Sequence, residues 1–295
     1  MTSALDLLSS VKTDFRSLAR ILTYVENDLP MAAMLLRSLQ PDLNIPVIGV
    51  TGPPGAGKST LINALIDHLA AGGNKVAVLA VDPTSPFNFG SLLGDRIRMA
   101  EQFTRNNVFI RSLATRGSLG GLSVKTIEMV DVLRAAGFDQ VIVETVGVGQ
   151  SEVEIAGLAD VTIVVLVPGA GDEVQNMKSG VMEIADVFVV NKADRDGADA
   201  AVANLERMVH MKSLDVPVFK AVANRKEGIA PLAAYLTSPH PHADTRKLAL
   251  ATEKAWKLIA ARRMQSIDKQ QLRRALHEAM QLPDFNLYRF AAQYG

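Results

Sequence analysis

The stretch GVTGPPGAGKST, residues 49–60, contains the pattern G-x-x-x-x-G-K-[ST] between an apolar run and a predicted helix over 58–72. A strand, a glycine-rich turn and a helix in this order wrap backbone N–H groups around phosphates and add the partial positive charge of the helix N-terminus. In that pattern, Lys58 reaches the β- and γ-phosphates and the Ser59 hydroxyl binds Mg²⁺. The stretch predicts a nucleotide phosphate site formed by Gly52, Pro53, Pro54, Gly55, Ala56, Gly57, Lys58, Ser59 and Thr60.

The composition limits the class of protein. The chain has 295 residues, of which 48% are hydrophobic, and it carries 31 basic and 31 acidic residues. Because these charges balance, the sequence gives no support for bulk attraction to nucleic acid or to a membrane surface, and we expect neither partner. The absence of cysteine excludes disulfides, thiolate metal sites and a cysteine nucleophile.

The same features favour a cytoplasmic protein. The most apolar run, residues 161–168, is far shorter than the roughly 20 residues of a membrane-spanning helix. The first twenty residues mix Asp6 and Asp14 with basic residues and contain no signal-peptide core. A chain without cysteine also fits a reducing compartment.

The chain divides into three zones. Residues 43–238 alternate β-branched runs with amphipathic stretches, which predicts an α/β P-loop NTPase fold of three layers with a mostly parallel sheet. Residues 1–42 are predicted to form a helical extension, because apolar residues recur at helical spacing from Leu18 to Val25. After the linker SPHPHADT, residues 239–295 are predicted to form a second helical extension. The predicted strands are PVIGV, KVAVLAV, NVFIRS, QVIVE, VTIVVLV, VFVVN and VPVFKA, and further helices are expected over 122–136 and 198–212.

A candidate base-reading segment follows one of the later strands. In VVNKAD, Asn191, Lys192 and Asp194 lie at the end of a predicted strand. An aspartate can accept two hydrogen bonds from guanine, whereas the acceptor at N1 of adenine would repel it, so such a site discriminates between the bases by roughly 10⁴-fold. Lys192 would lay its stem over the ring. After the last strand, Val222, Ala223 and Asn224 are placed where a backbone amide would meet the guanine carbonyl.

Three acids are candidates for a magnesium site. Asp82 ends the second predicted strand, Asp95 precedes a predicted helix, and Glu144 ends the strand QVIVE. Ligands bind at the carboxyl edge of such sheets, and Mg²⁺ takes one or two carboxylates together with several waters. We expect Asp95 close to the metal, with Asp82 and Glu144 acting through water, and Lys58, Glu144 and Asp95 as the catalytic set.

Taken together, these stretches resemble the MeaB/ArgK-type G proteins, GTPases of the SIMIBI class that act as chaperones of adenosylcobalamin-dependent acyl-CoA mutases. The match covers roughly residues 18–195 closely, and ETVGVGQSE followed by PGAGDEVQNMKSG is its most specific part. The other stretches that carry the resemblance are LARILTYVEN, GVTGPPGAGKSTL, VDPTSP, GSLLGDRIRM and RSLATRGSLGGLS.

The resemblance implies binding of GTP and GDP, slow hydrolysis that a partner mutase accelerates, gating of cobalamin transfer, and protection of the mutase. Methylmalonyl-CoA mutase is the expected client, although related mutases are equally compatible with the motifs. Residues 148–152 resemble the second switch, and residues 168–178 resemble a further switch that contacts the mutase. A homodimer is implied too, but the C-terminal arm, which ends in QLPDFNLYRFAAQYG, is shorter than in longer family members.

The second switch lacks a residue that could orient water. Val148 occupies the position where many phosphate-hydrolysing proteins place a glutamine, and Gln150 is two residues further on. A partner that positions water and neutralises charge can supply up to about 10⁵-fold in rate. We therefore expect a GTPase that hydrolyses usefully only with its partner, with Asp172 and Lys178 as candidates to link the third segment to the nucleotide.

Three other functions stay open. A P-loop small-molecule kinase would need an acceptor pocket with a base, and the sequence shows no such group of residues. A metal-inserting GTPase of the same fold class would need Cys and His ligands, but the chain has five His, of which only His240 and His242 are close in sequence, in the linker. A structural P-loop protein would not need the complete set of magnesium and base residues.

Overall fold

The sheet is assembled from short β-branched runs whose side chains are buried on both faces, as parallel strands between helices require. The computed structural model describes residues 4–82, 99–114, 124–145, 155–169, 183–211, 216–238, 243–264, 266–282 and 285–294. Its seven strands are β1 (Val47–Thr51), β2 (Val76–Asp82), β3 (Val108–Ala114), β4 (Gln140–Glu144), β5 (Val161–Leu166), β6 (Val187–Val190) and β7 (Val218–Lys220).

All seven strands are parallel and lie in the order β3-β2-β4-β1-β5-β6-β7. Each coincides with one of the seven predicted runs, so the predicted α/β class with a mostly parallel sheet is confirmed. The centre of the sheet is β1, which pairs with β4 on one side and β5 on the other. This arrangement brings the ends of β1 and β4 together, where Val50 pairs with Glu144.

Helices cover both faces of the sheet. The α-helices in the described part of the chain are α1 (Ala4–Ser10), α2 (Phe15–Glu26), α3 (Ala32–Ser38), α4 (Lys58–Ala71), α5 (Val124–Ala135), α6 (Ala198–Met211), α7 (Ile229–Thr237), α8 (Ala243–Met264), α9 (Lys269–Ala279) and α10 (Leu287–Ala291). The core on one face joins α4 and α7 to alternate residues of β1 and β5. The opposite faces of the strands pack against α2, α5 and α6. The fold therefore has the three layers expected from the sequence.

The N-terminal helices share a core with the sheet. Leu18, Ile21, Leu22 and Val25 of α2 are fully buried, as their helical spacing predicts. The ring of Phe15 lies 5.4 Å from that of Phe109 in β3. Arg111 of β3 also forms an ion pair of 2.5 Å with Glu26 at the end of α2. Both apolar burial and charge pairing thus fix α2 on the β3 side of the sheet.

The chain divides into two compact units, Met1–Leu250 and Ala251–Gly295. The second unit contains the rest of α8 together with α9 and α10, whose N-termini are capped by the side chains of Asp268 and Asn286. In the described residues, no helix combines the length and the apolar character needed to cross a membrane. The three zones proposed from the sequence remain predictions.

Candidate functional site

The turn between β1 and α4 depends on glycine at two positions. Gly52 has φ of 142°, and a Cβ there would lie 2.2 Å from the Val165 carbonyl oxygen of β5. Gly57 has φ of 87°, and its Cβ would lie 2.4 Å from the side-chain nitrogen of Asn191. Any other residue would therefore push the turn away from β5 and from the segment after β6, which explains the spacing of the motif in physical terms.

The first turn of α4 presents backbone donors to this loop. The N–H groups of Lys58, Ser59 and Thr60 belong to the first turn of a 14-residue helix, where N–H groups point out of the helix at its N-terminus. The N-cap residue, Gly57, has no side chain that could accept from them. Backbone N–H groups at the positive end of a helix dipole are suited to phosphate oxygens, so the backbone here fits a nucleotide phosphate chain.

The side chain of Lys58 lies along the loop. Its Nζ donates to the carbonyl oxygens of Gly52 at 2.9 Å and Pro53 at 3.1 Å. The residue is only 7% exposed although its head is charged. The ammonium is therefore held at the phosphate loop by the loop's own backbone, within the region where the sequence motif places it.

The side chains of Ser59, in the first turn of α4, and Glu144, at the end of β4, contact each other. The Ser59 hydroxyl donates to Glu144 Oε1 at 2.7 Å, and both residues are buried. A hydroxyl and a carboxylate are hard oxygen donors of the kind that Mg²⁺ prefers. The structure brings together two of the four predicted magnesium residues, and their chemistry fits this ion.

The other two predicted magnesium acids are less defined. Asp82 ends β2, two residues beyond Ala80, which pairs with Glu144 in the sheet. The backbone of Asp82 is thus at the expected edge of the sheet, but its side chain is outside the described part. Asp95 lies outside the described residues altogether, as do Val148, Gln150, Asp172 and Lys178.

The residue after Glu144 is fixed to the sheet. Thr145 is fully buried; its N–H donates to the Val50 carbonyl at 3.0 Å, and its hydroxyl donates to the Thr51 hydroxyl at 3.0 Å. Thr51 directly precedes the phosphate loop. The two threonines therefore tie the end of β4, which carries Glu144, to the start of the loop, which leads to Ser59.

Asn191 braces the loops of the site. Its Nδ2 donates to the Ala56 carbonyl of the phosphate loop at 2.9 Å. Its Oδ1 accepts from the Ala223 amide, after β7, at 3.2 Å. With an exposure of 2%, Asn191 lies between the phosphate loop and the predicted base segment and holds both.

Lys192 and Asp194 lie closer to the surface. Lys192 has φ of 56°, and its Nζ donates to the Gly55 carbonyl at 2.7 Å, so that its stem crosses the loop. Asp194 is 32% exposed, and its nearest charged partner is Arg225 at 3.4 Å. The Asp194 carboxylate is therefore accessible at this edge, as a group that accepts from a base must be.

The three residues of the segment Val222–Asn224 differ in what their amides do. The Val222 amide donates to the Glu227 carbonyl at 3.1 Å, while that of Ala223 donates to Asn191. Only the Asn224 amide of this trio makes no hydrogen bond within the described residues. The geometry thus favours Asn224 as the donor for a base carbonyl in the predicted segment.

Sequence reasoning missed the side chains that support the site. These are Thr51 and Thr145, and a charged group formed by Asp67, Gln102, Arg105 and Lys226. Threonine at the end of a strand has an ordinary propensity, and Asp67 is in the interior of a helix without a motif. Only the position of Thr145 directly after Glu144 offered a signal.

Several proteins are similar to this chain. A protein of Pyrococcus abyssi that is classed among GTPases is 50% identical over 229 residues, which is 75% of this chain and 71% of the relative. GTPase ArgK of Escherichia coli is 46% identical over 61% of this chain and 56% of its own length. The mitochondrial methylmalonic aciduria type A homolog of Mus musculus is 41% identical over 66% of this chain and 47% of its own length.

Among solved structures, the crystal structure of a LAO/AO transport system kinase has a TM-score of 0.67 at 26% identity, and the match covers 99% of this chain and 96% of that one. HypB from Helicobacter pylori in complex with nickel has a TM-score of 0.51 at 16% identity, covers 75% of this chain and 99% of that one, and supports the fold alone. The family model described as methylmalonyl-CoA mutase-associated GTPase MeaB matches residues 18–281. Because this match covers well over half of the chain, the chain belongs to the MeaB family of methylmalonyl-CoA mutase-associated GTPases.

Proposed function

We propose that this chain binds GTP with Mg²⁺, hydrolyses it slowly alone, and acts as a chaperone of an adenosylcobalamin-dependent acyl-CoA mutase. The observation that supports this most is the Ser59–Glu144 contact of 2.7 Å beside the phosphate loop. It joins the residue that follows the loop lysine to the carboxylate at the end of β4, which is the arrangement a magnesium nucleotide needs. The family membership supports the mutase as partner.

Each group of the site has a task in this proposal. The α4 amides and Lys58 bind and orient the phosphates, while Asn191 keeps the phosphate loop aligned with the base segment. Asp194 and the Asn224 amide select guanine. When bound, Mg²⁺ supplies charge neutralisation to the phosphates, and Ser59 and Glu144 would hold it, with Asp82 and Asp95 as further carboxylates.

Hydrolysis adds water to the γ-phosphorus of GTP and releases GDP and inorganic phosphate. The residues of this chain provide the groups that bind GTP more completely than they provide a group that positions the attacking water. Val148 stands where a glutamine would orient the attacking water, and a valine side chain offers neither a donor nor an acceptor. The slow basal rate follows from the presence of valine at position 148, and the partner mutase supplies the group that aligns the attacking water.

The link to cobalamin loading belongs to the same proposal. Residues 148–152 and 168–178 are the segments that would report the bound nucleotide to the mutase. Glu144 and Thr145 stand immediately before the first of these segments and are fixed to the phosphate loop. A cytoplasmic homodimer is the form in which we expect the chain to act.

A steady-state assay tests the proposal. The released phosphate is measured with GTP and Mg²⁺, with and without methylmalonyl-CoA mutase, and we expect the mutase to raise the rate by about 10-fold or more, since partners of GTPases supply up to about 10⁵-fold. Glu144→Gln should lose both the basal and the stimulated rate. A fast basal rate that the mutase leaves unchanged would contradict the proposal.

A kinase is the second candidate, because a LAO/AO transport system kinase is among the solved structures similar to this chain, and that match covers 99% of this chain. The products separate the two functions: with γ-labelled GTP and candidate amino acids, a GTPase releases all the label as inorganic phosphate. Labelled phosphoamino acid would favour the kinase. A metal-inserting role has less support, since no group of three or more His, Cys, Asp or Glu able to hold a metal occurs in the described part of the chain.

A further inference from the structure

One carboxylate outside the nucleotide residues is bound by three cationic or amide groups. Asp67 lies in the last third of α4, the helix that begins at the phosphate loop. Its Oδ1 accepts from Gln102 Nε2 at 2.8 Å and from Arg105 Nη2 at 2.6 Å, and its Oδ2 accepts from Lys226 Nζ at 2.7 Å. The Asp67 side chain is 12% exposed. A carboxylate this buried needs such partners to remain charged.

One of these partners, Gln102, fixes Asp67 to the interior. Gln102 belongs to the 3-10 turn Ala100–Thr104 and is 1% exposed. Its Nε2 also donates to Asn63 Oδ1 at 2.9 Å, so the amide is held by two residues of α4 at once. The position of the Asp67 carboxylate is therefore set by a rigid surrounding rather than by its exposed partner.

The third partner belongs to the base segment. Lys226 follows the 3-10 turn Ala223–Arg225 and caps it with a hydrogen bond from its N–H to the Ala223 carbonyl at 3.2 Å. Its φ of 59° is unusual for a residue with a side chain. Asp67 thus holds the end of the turn that contains Asn224, while Asn191 holds its beginning at Ala223.

We propose that Asp67 is a positioning residue for guanine recognition, which acts through Lys226 to keep the turn Ala223–Arg225 in place. This inference rests on the proposed function, because it concerns the base site of the same nucleotide. Without the Asp67–Lys226 pair, the turn keeps Asn191 at its beginning, the flanking Val222–Glu227 hydrogen bonds of 3.1 and 3.3 Å and the long Asp194–Arg225 contact of 3.4 Å, but it loses its charged link to α4. The Asn224 amide would then lose its fixed distance from the base, and affinity for guanine would fall.

Binding of a fluorescent GDP measures the effect. We expect Asp67→Asn and Lys226→Gln each to weaken GDP binding by about 5- to 10-fold, the scale of the net contribution of one hydrogen bond. The affinity of the double variant should lie within about 2-fold of that of the weaker single variant, because the Asp67–Lys226 pair is the interaction that both changes break. Lys226→Arg, which keeps the charge and a donor, should restore most of the affinity.

The Asp199–Lys220 pair provides a matched control. It also pairs an aspartate, Asp199 on α6, with a lysine, Lys220 on β7. Asp199, however, is 92% exposed and contacts no residue of the base segment through this pair. Asp199→Asn should leave GDP affinity within about 2-fold of the parent chain, since exposed pairs contribute little. Equal losses in this control and in Lys226→Gln would overturn the positioning role.

A second readout separates positioning from general loss of structure. Displacement of the base turn lowers the ratio of GDP to ADP affinity, whereas partial unfolding lowers both affinities alike. Lys226 is 63% exposed, so Lys226→Gln is expected to fold normally, which the melting temperature checks. If the parent chain binds no guanine nucleotide, the proposed function fails; if it binds GDP and both variants bind equally well with an unchanged ratio, only the role of Asp67 fails.

Discussion

The phosphate end and the base end of the candidate site are built in different ways. At the phosphate end, Lys58 and Glu144 are each 7% exposed; Lys58 begins α4 directly after the loop that follows β1, and Glu144 ends β4, which pairs with β1. At the base end, the side chains of Asp194 and Arg225 are 32% and 59% exposed. Strand register positions the first set, whereas side chains from distant segments position the second. The base end should therefore tolerate larger movements and depend more on single hydrogen bonds.

The largest expected effect is at the phosphate end. Lys58→Ala should lower the rate of GTP hydrolysis by about 100-fold or more, because it removes a cation that faces developing charge on the phosphates. Phosphate release under single-turnover conditions measures this loss.

Lys192→Ala sharpens the comparison. Lys192 also donates to a carbonyl of the loop, that of Gly55 at 2.7 Å, but it belongs to the base end. We expect its removal to weaken nucleotide binding with a much smaller change in the rate of the bound complex. Equal losses in kcat for the two variants would show that the ends are not separate.

Asn191→Ala tests the connection between the ends. The change leaves the buried Ala56 carbonyl and the Ala223 amide without their partner, and should lower the free energy of unfolding by about 1–3 kcal/mol. Urea unfolding measures this quantity, and GDP binding should weaken in parallel. Asn204→Ala is the control, since Asn204 is exposed and accepts a hydrogen bond from Arg207 on the same helix. A stable Asn191→Ala protein with normal affinity for GDP would show that Asn191 does not hold the phosphate loop and the base segment together.

The smallest effect concerns the support of the base end at low pH. Burial raises the pKa of the Asp67 carboxyl, but the hydrogen bonds from Lys226 and Gln102 and the charges of Lys226 and Arg105 outweigh it, so the pKa lies below its usual value of 3.8. A carboxyl whose pKa is lower in the folded protein than in the unfolded chain stabilises the fold at pH values above the unfolded pKa. This stabilisation is lost as the pH falls through the folded pKa.

The difference in free energy of unfolding between the parent chain and Asp67→Asn should thus be largest near neutral pH. It should shrink as the pH falls below 3.8, the ordinary carboxyl pKa. Chemical unfolding at a series of pH values measures it. A difference that stays constant over this range would mean that the Asp67 carboxylate gains nothing from its charge.

The fold was predictable to within a residue or two in its regular elements. All seven strands follow from β-branched runs, and α4 ends one residue before the predicted position 72. These features depend on the local spacing of apolar and β-branched residues, which can be read from the sequence. The edge strand β7 is shorter than the predicted run VPVFKA, because its residues are only partly buried and pair on one side.

The supports of the site were not predictable in the same way. Thr145 and Thr51 are far apart in sequence and meet only because β4 and β1 are neighbours in register. Asp67 and Lys226 meet because α4 and the segment after β7 pack together. Asn191 belongs to the predicted base segment, but its double role follows only from the distance to the phosphate loop. Such contacts depend on tertiary packing, which no local pattern encodes.

Because α2 is buried, changes in the N-terminal region should affect the stability of the folded protein. Leu18, Ile21, Leu22 and Val25 are fully buried against the core of the sheet. Each such side chain contributes roughly 1.5–3 kcal/mol, while a whole protein is stable by only about 5–15 kcal/mol. Damage to this helix, by truncation or proteolysis, would therefore reduce how much folded protein a cell maintains, and would leave the chemistry of each surviving molecule unchanged.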